Sequence, residues 1–88
     1  MSTYIITSET EKRYEDCQYH IVETAIEGVF TSAETAMMVA KEKVMRLHMS
    51  FEGYLMEEEK EDNEILKLSI AWIETKLTYK VTEHEVEH

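Results

Sequence analysis

Ile65-Leu66-Lys67-Leu68-Ser69-Ile70-Ala71-Trp72-Ile73 fits two periods at once, and the choice between them decides the fold. Leu66, Leu68, Ile70 and Trp72 alternate like a strand, whereas Ile65, Leu66, Ser69, Trp72 and Ile73 share one face of a helix. The carboxylates ahead of the stretch and Lys76 behind it suit a helix dipole, and no turn residue separates it from the next segment. These cues favour a helix, with the strand as the alternative.

On the N-terminal side of this stretch the pattern is less divided. Thr31-Ser32-Ala33-Glu34 is a helix start in which Thr31 caps and Glu34 reaches back. Ala33, Ala36, Met37, Ala40, Val44, Leu47 and Phe51 then recur at three- and four-residue steps, which predicts a long central helix running at least to Ser50. Further upstream, Thr3 to Thr7 is β-branched and aromatic and reads as a first strand. A charged turn from Ser8 to Asp16 comes next. Gln18 to Phe30 reads as a second strand, with Val22, Ile26 and Phe30 on one face and Tyr19, Ile21, Ala25 and Val29 on the other. One of these faces is expected to be well buried, and Gly28 marks a bulge. Beyond the divided stretch, Leu77, Tyr79 and Val81 alternate with Thr78, Lys80 and Thr82 as a last strand running toward Val86. The expected fold is a single α+β domain over residues 1–88, a small antiparallel sheet packed on a long central helix. Its order is β-β-α-(α or β)-β.

Tyr19 to Val22 and Glu27-Gly28-Val29-Phe30-Thr31-Ser32-Ala33-Glu34-Thr35-Ala36 resemble a phrase found in small uncharacterised phage and bacterial proteins of β-β-α-β order. Leu77 to Glu87 is similar to their final acidic strand, while Phe51 to Thr75 is longer than the pattern. Those proteins have no agreed activity, so no functional residue carries over. The resemblance implies origin, a phage accessory protein of the kind that binds and redirects a host protein.

Nothing in the residues points to an enzyme. With only Gly28 and Gly53, phosphate-cradling and dinucleotide fingerprints are absent. Cys17 and His20, three apart on a strand, face opposite ways, which argues against a nucleophile and its base. His84 and His88 on an extended chain stand roughly 13 Å apart, too far to share a metal. The acidic run lacks the glycine and ligand spacing of a calcium loop. No cofactor or metal is expected. The single cysteine and the absence of an apolar span or signal-like start fit a cytoplasmic protein.

Charge and methionine placement are what remain. The net charge is −10, and residues 57–88 hold ten of the nineteen acids with four bases. Such a chain is repelled by phosphates and anionic lipid, so its electrostatic partner is a basic surface, not nucleic acid or membrane. Glu57, Glu58, Glu59, Glu61, Asp62 and Glu64, with Glu83, Glu85 and Glu87, are the candidate acidic partner surface. They can imitate a phosphate backbone, against the plainer reading of a solubilising surface. At ~100° per residue, Met38, Met45, Met49 and Met56 gather opposite the helix's core stripe, with Glu42 and Glu52 among them. They are the candidate apolar surface, for a partner or for a homodimer seam. Alternatively, the folded-back segment 65–73 covers them. The expected function is an interaction protein that binds and modulates a host protein, such as a DNA-mimicking inhibitor of a DNA-binding protein or RNA polymerase. The alternatives are a structural homodimer, or a small ligand-binding module or enzyme on the sheet face around His20, Tyr79 and Trp72.

Overall fold

In the computed structural model, which describes residues 1–13, 18–51 and 53–86, the divided stretch is a strand. The elements are β1 (Ser2–Arg13), β2 (Tyr19–Phe30), α1 (Ala33–Phe51), β3 (Tyr54–Glu57), β4 (Glu64–Trp72) and β5 (Thr75–Glu85). They form one antiparallel five-stranded sheet in the order β2-β1-β5-β4-β3, with α1 packed on one face. The class is α+β as expected, and the order is β-β-α-β-β-β.

The helix expected over residues 65–73 is therefore overturned by a strand. The physical reason lies in the partner strand. Leu66 stands opposite Val81, Leu68 opposite Tyr79 and Ile70 opposite Leu77, so two alternating segments pair apolar side to apolar side. A helix would have left the alternation of β5 without a match. The turn between them, Ile73-Glu74, contains no glycine or asparagine, which hid the hairpin from the sequence. A second correction is at the N-terminus. Of the turn expected from Ser8 to Asp16, residues 8–13 instead continue β1 to Arg13, and residues 14–16 lie outside the described residues.

Ile6, Ala36, Ala40, Val44, Leu66, Tyr79 and Val81 form the buried centre, with Tyr4, Phe30, Met37, Leu47, Leu68 and Leu77 packed around it. The predicted helix stripe is thus the packed face, but α1 is a 19-residue helix lying against one face of the sheet. Its cap is Ser32 and not Thr31. The Ser32 hydroxyl accepts from the Thr35 backbone N–H at 3.3 Å, and the Ser32 carbonyl accepts from Ala36. At the other end Phe51 leaves the core and stacks on Trp72, ring centroids 5.5 Å apart.

β2 overturns the expectation of a well-buried face. It is the sheet's edge, and most of its residues are exposed. Its register against β1 shifts twice, so Val22 and Glu27 are extra residues and the faces switch at each. Ile21, Thr24, Ile26 and Val29 consequently stand opposite Glu11, Glu9, Thr7 and Ile5 on the face away from α1, while Phe30 stands opposite Tyr4 on the helix side.

Candidate functional site

The sheet topology joins the two acidic segments that the sequence holds twenty residues apart. β4 and β5 are a hairpin, so the chain entering β4 lies beside the chain leaving β5. The Glu83 backbone N–H donates to the Asn63 carbonyl at 2.9 Å, and the Asn63 amide donates back to the Glu83 carbonyl at 3.1 Å. Asp62 takes the left-handed conformation, φ 39°, that lets the chain turn here. Glu59, Glu61 and Asp62 are exposed on one side of this junction, and Glu83 and Glu85 on the other. Glu83 accepts from the Tyr4 hydroxyl at 3.3 Å. Glu87 lies outside the described residues.

Two of the candidate acids are employed elsewhere. Glu58 turns onto the sheet face away from α1, where its carboxylate accepts from the Lys76 ammonium and the Ser69 hydroxyl, both at 2.8 Å. The Lys76 ammonium, and next the Ser69 hydroxyl, hold the Glu58 carboxyl below its ordinary value, and Glu58 in turn raises Lys76. Glu64 lies 3.7 Å from the Lys80 ammonium, which also donates to Glu9 at 2.6 Å. The Glu9 hydrogen bond raises Lys80 above the usual lysine range. This polar layer covers Ser69 and Thr78, which are buried although no described helix lies over them. The free acidic surface is narrower than the sequence suggested, and it is concentrated at the β3–β4 and β5 ends. Glu57 is exposed at the end of β3.

The methionines separate into two groups. Met38, Met45 and Met49 are 63%, 45% and 79% exposed on the outer side of α1, and β4 lies in the sheet where it cannot cover them. Met56 is corrected. α1 ends at Phe51, and Met56 is a half-buried residue of β3 opposite Ser69. The chain turns from helix to strand at Gly53, whose carbonyl is 2.9 Å from His48 Nδ1. Glu52 lies outside the described residues.

His20, Tyr79 and Trp72 do not converge. His20 and Trp72 share one cross-strand row through Lys12 and Thr75 but stand three strands apart, roughly 14 Å. Tyr79 is in the core, where burial first and the Glu27 carboxylate second push its phenol up. A depression of about 370 Å³ opens between β1 and β2, lined by Thr7, Thr24, Ile26 and the already paired Glu9 and Lys80. Cys17 and His88 lie outside the described residues, and His84 Nε2 is 2.9 Å from the Thr82 hydroxyl. Among the described residues no three His, Cys, Asp or Glu side chains gather as a metal site, and no helix is long and apolar enough to cross a membrane. Compared with known proteins, the chain matches no protein-family model, no curated protein and no solved structure.

Proposed function

We propose that this chain is a small acidic interaction protein that binds the basic surface of a host protein and modulates or inhibits it. In its sharper form it occupies a surface that otherwise takes nucleic acid. The resemblance to phage accessory proteins fits this reading. The observation that carries it is the junction at Asn63 and Glu83, which ties the segment bearing Glu59, Glu61 and Asp62 to the segment bearing Glu83 and Glu85. Carboxylates gathered at one end of a hairpin add their fields, and such a field steers a basic partner.

Capture of a DNA-binding protein from bacterial lysate tests it, using the intact chain and a variant with Glu59→Lys, Glu61→Lys and Glu85→Lys. The intact chain is expected to hold its target at about 0.05 M salt and release it by about 0.5 M. The variant is expected to hold none, and duplex DNA in excess is expected to displace the target. Retention that ignores both salt and charge reversal removes this reading.

The exposure of Met38, Met45 and Met49 favours a second reading, a homodimer with these residues at its seam. Sedimentation of the chain with and without Met45→Glu and Met49→Glu decides it. A dimer that dissociates in the variant supports it, and a monomer in both disposes of it.

A further inference from the structure

The two edges of the sheet are unequal. β3, on one side, has four residues, whereas β2, on the other, has twelve and borders no other described strand on its outer flank. An edge strand presents a row of backbone N–H and C=O groups to any chain that can lie beside it, and natural proteins usually keep such edges short or heavily charged. Here the edge is apolar on one face. Ile21, Ile26 and Val29 point away from α1 and are 59%, 70% and 61% exposed. On the helix side the only charges of the strand's central stretch are Glu23 and Glu27. Glu27 is oriented by the Ser8 hydroxyl at 2.8 Å and by Lys43 at 3.8 Å.

We propose that the outer edge of β2, over residues 21–29, takes an extended segment of the partner protein as a sixth strand. That segment has Lys or Arg opposite Glu23 and Glu27, and apolar residues opposite Ile21, Ile26 and Val29. The inference rests on the proposed reading that the partner is basic, and it names the form in which the partner is bound. β-strand addition draws affinity from the main chain and specificity from alternate side chains.

A second copy of the chain fits this edge poorly, and the reason is positional. Ile21, Thr24, Ile26 and Val29 are symmetric about Ala25, so a two-fold through Ala25 is the antiparallel arrangement that keeps them on a common face. That arrangement sets Glu23 opposite Glu27 twice. Like charges directly opposite each other are destabilising, and each copy carries −10 overall. Lysines opposite the same carboxylates reverse the sign of both contacts.

Residue-resolved amide hydrogen exchange on the full chain tests the proposal, with a ten-residue peptide of alternating Lys and Val as probe and its Glu/Val counterpart as control. The Lys/Val peptide is expected to slow exchange at backbone amides within residues 21–29 at least about tenfold. The Glu/Val peptide is expected to have no effect there. A Glu23→Lys, Ile26→Lys variant, altered only at exposed side chains, is expected to lose that protection. Protection confined to residues 59–64 and 83–85, or to the helix around Met45, overturns the proposal. So does protection of β2 that grows with protein concentration in the absence of peptide, the mark of self-pairing. The charge-reversed variant at Glu59, Glu61 and Glu85 separates the two readings. If it still shows peptide-dependent protection of β2 while losing the lysate target, the edge inference stands and the acidic end acts in its own right. If it keeps the lysate target as well, the acidic-end reading fails alone.

Discussion

The Lys76 ammonium lies 2.8 Å from the Glu58 carboxylate across the face of the sheet that α1 does not cover, and the same carboxylate accepts from Ser69. β5 supplies the lysine, β4 the serine, and the carboxylate comes from the residue just after β3. The contact therefore ties three successive segments together. It gives the face that α1 does not cover an organised polar layer.

The first prediction comes from that contact. Glu58 has a lowered pKa in the folded chain, so its contribution is present above the ordinary carboxylate value and is lost as pH falls through the folded one. Lys76 has a raised pKa, so its contribution is complete below the ordinary lysine value and is lost as pH rises through the folded one. Both groups keep about a quarter of their side-chain surface in water, so screening limits the pair to about 1 kcal/mol. Glu58→Gln is expected to lower the thermal midpoint at neutral pH by about 5 °C. In acid, below the lowered folded value of Glu58, the two proteins should melt together, because the native carboxylate has then lost its charge as well. Thermal scans at both pH values check this. A gap that persists unchanged in acid would mean the residue acts by shape and not by charge.

A second prediction separates two neighbouring hydroxyls. Ser32 and not Thr31 accepts from the first turn of α1, so Ser32→Ala is expected to cost about 1 kcal/mol and Thr31→Ala only a few tenths, roughly. Urea unfolding of the two variants measures the difference. Equal losses would return the cap to the position the sequence motif suggested.

The outer and inner sides of α1 make a third. Val44 is 1% exposed against the sheet, and truncating it to alanine is expected to cost about 2 kcal/mol. Met49, exposed on the outer side, is expected to tolerate alanine within about 0.5 kcal/mol. A large loss at Met49 in dilute solution would mean that something covers it, and a second copy would be the first suspect. Repeating the melt across a range of protein concentrations identifies that case, since an obligate seam makes the midpoint rise with concentration.

How far the sequence could be read depended on whether a pattern was local. The buried stripe Ala36, Ala40 and Val44 needs only helical spacing, and it was legible. The strand at residues 64–72 was not, because its own residues satisfy two periods and the decision rests with Leu77, Tyr79 and Val81 across a turn that carries no turn residue. β2 looked buried because its apolar content is high, yet its position is set by sheet order, which no residue within it records. The two bulges then invert the faces read by simple alternation, moving Ile26 and Val29 onto the same side. The carboxylates of the candidate acidic surface are legible in the sequence only as a charge run. What could not be read was that Glu58 and Glu64 are held by Lys76 and Lys80, or that Asn63 joins the two segments, since both depend on the same unread hairpin.

The two glycines of the chain make the last prediction, because the structure assigns them opposite tolerance. Neither has a positive φ, so what distinguishes them from alanine is space. At Gly53 an added Cβ would lie 2.7 Å from Ile70 Cγ1 and 3.1 Å from the Ala71 carbonyl oxygen. Ile70 is fully buried and opposite both Leu55 and Leu77, and the carbonyl belongs to β4 itself, so neither can withdraw. Gly53→Ala is therefore expected to cost about 2–3 kcal/mol, the range of overpacking in a closed site. At Gly28 the added Cβ would meet only the Phe30 ring, 2.7 Å from its Cε2 atom, and that ring is a half-buried side chain at the rim of the core, which can shift where the backbone and buried side chain around Gly53 cannot. Alanine also removes the entropy that a strand glycine loses on folding, about 0.5–1 kcal/mol, which offsets the displacement. Gly28→Ala is expected to change stability by less than about 1 kcal/mol in either direction. Urea midpoints of the two variants, with slopes compared to confirm a common unfolding transition, check the contrast. A severe loss at Gly28 would mean the edge is held more rigidly than its exposure implies, and a sixth strand would then find β2 less able to adjust to it.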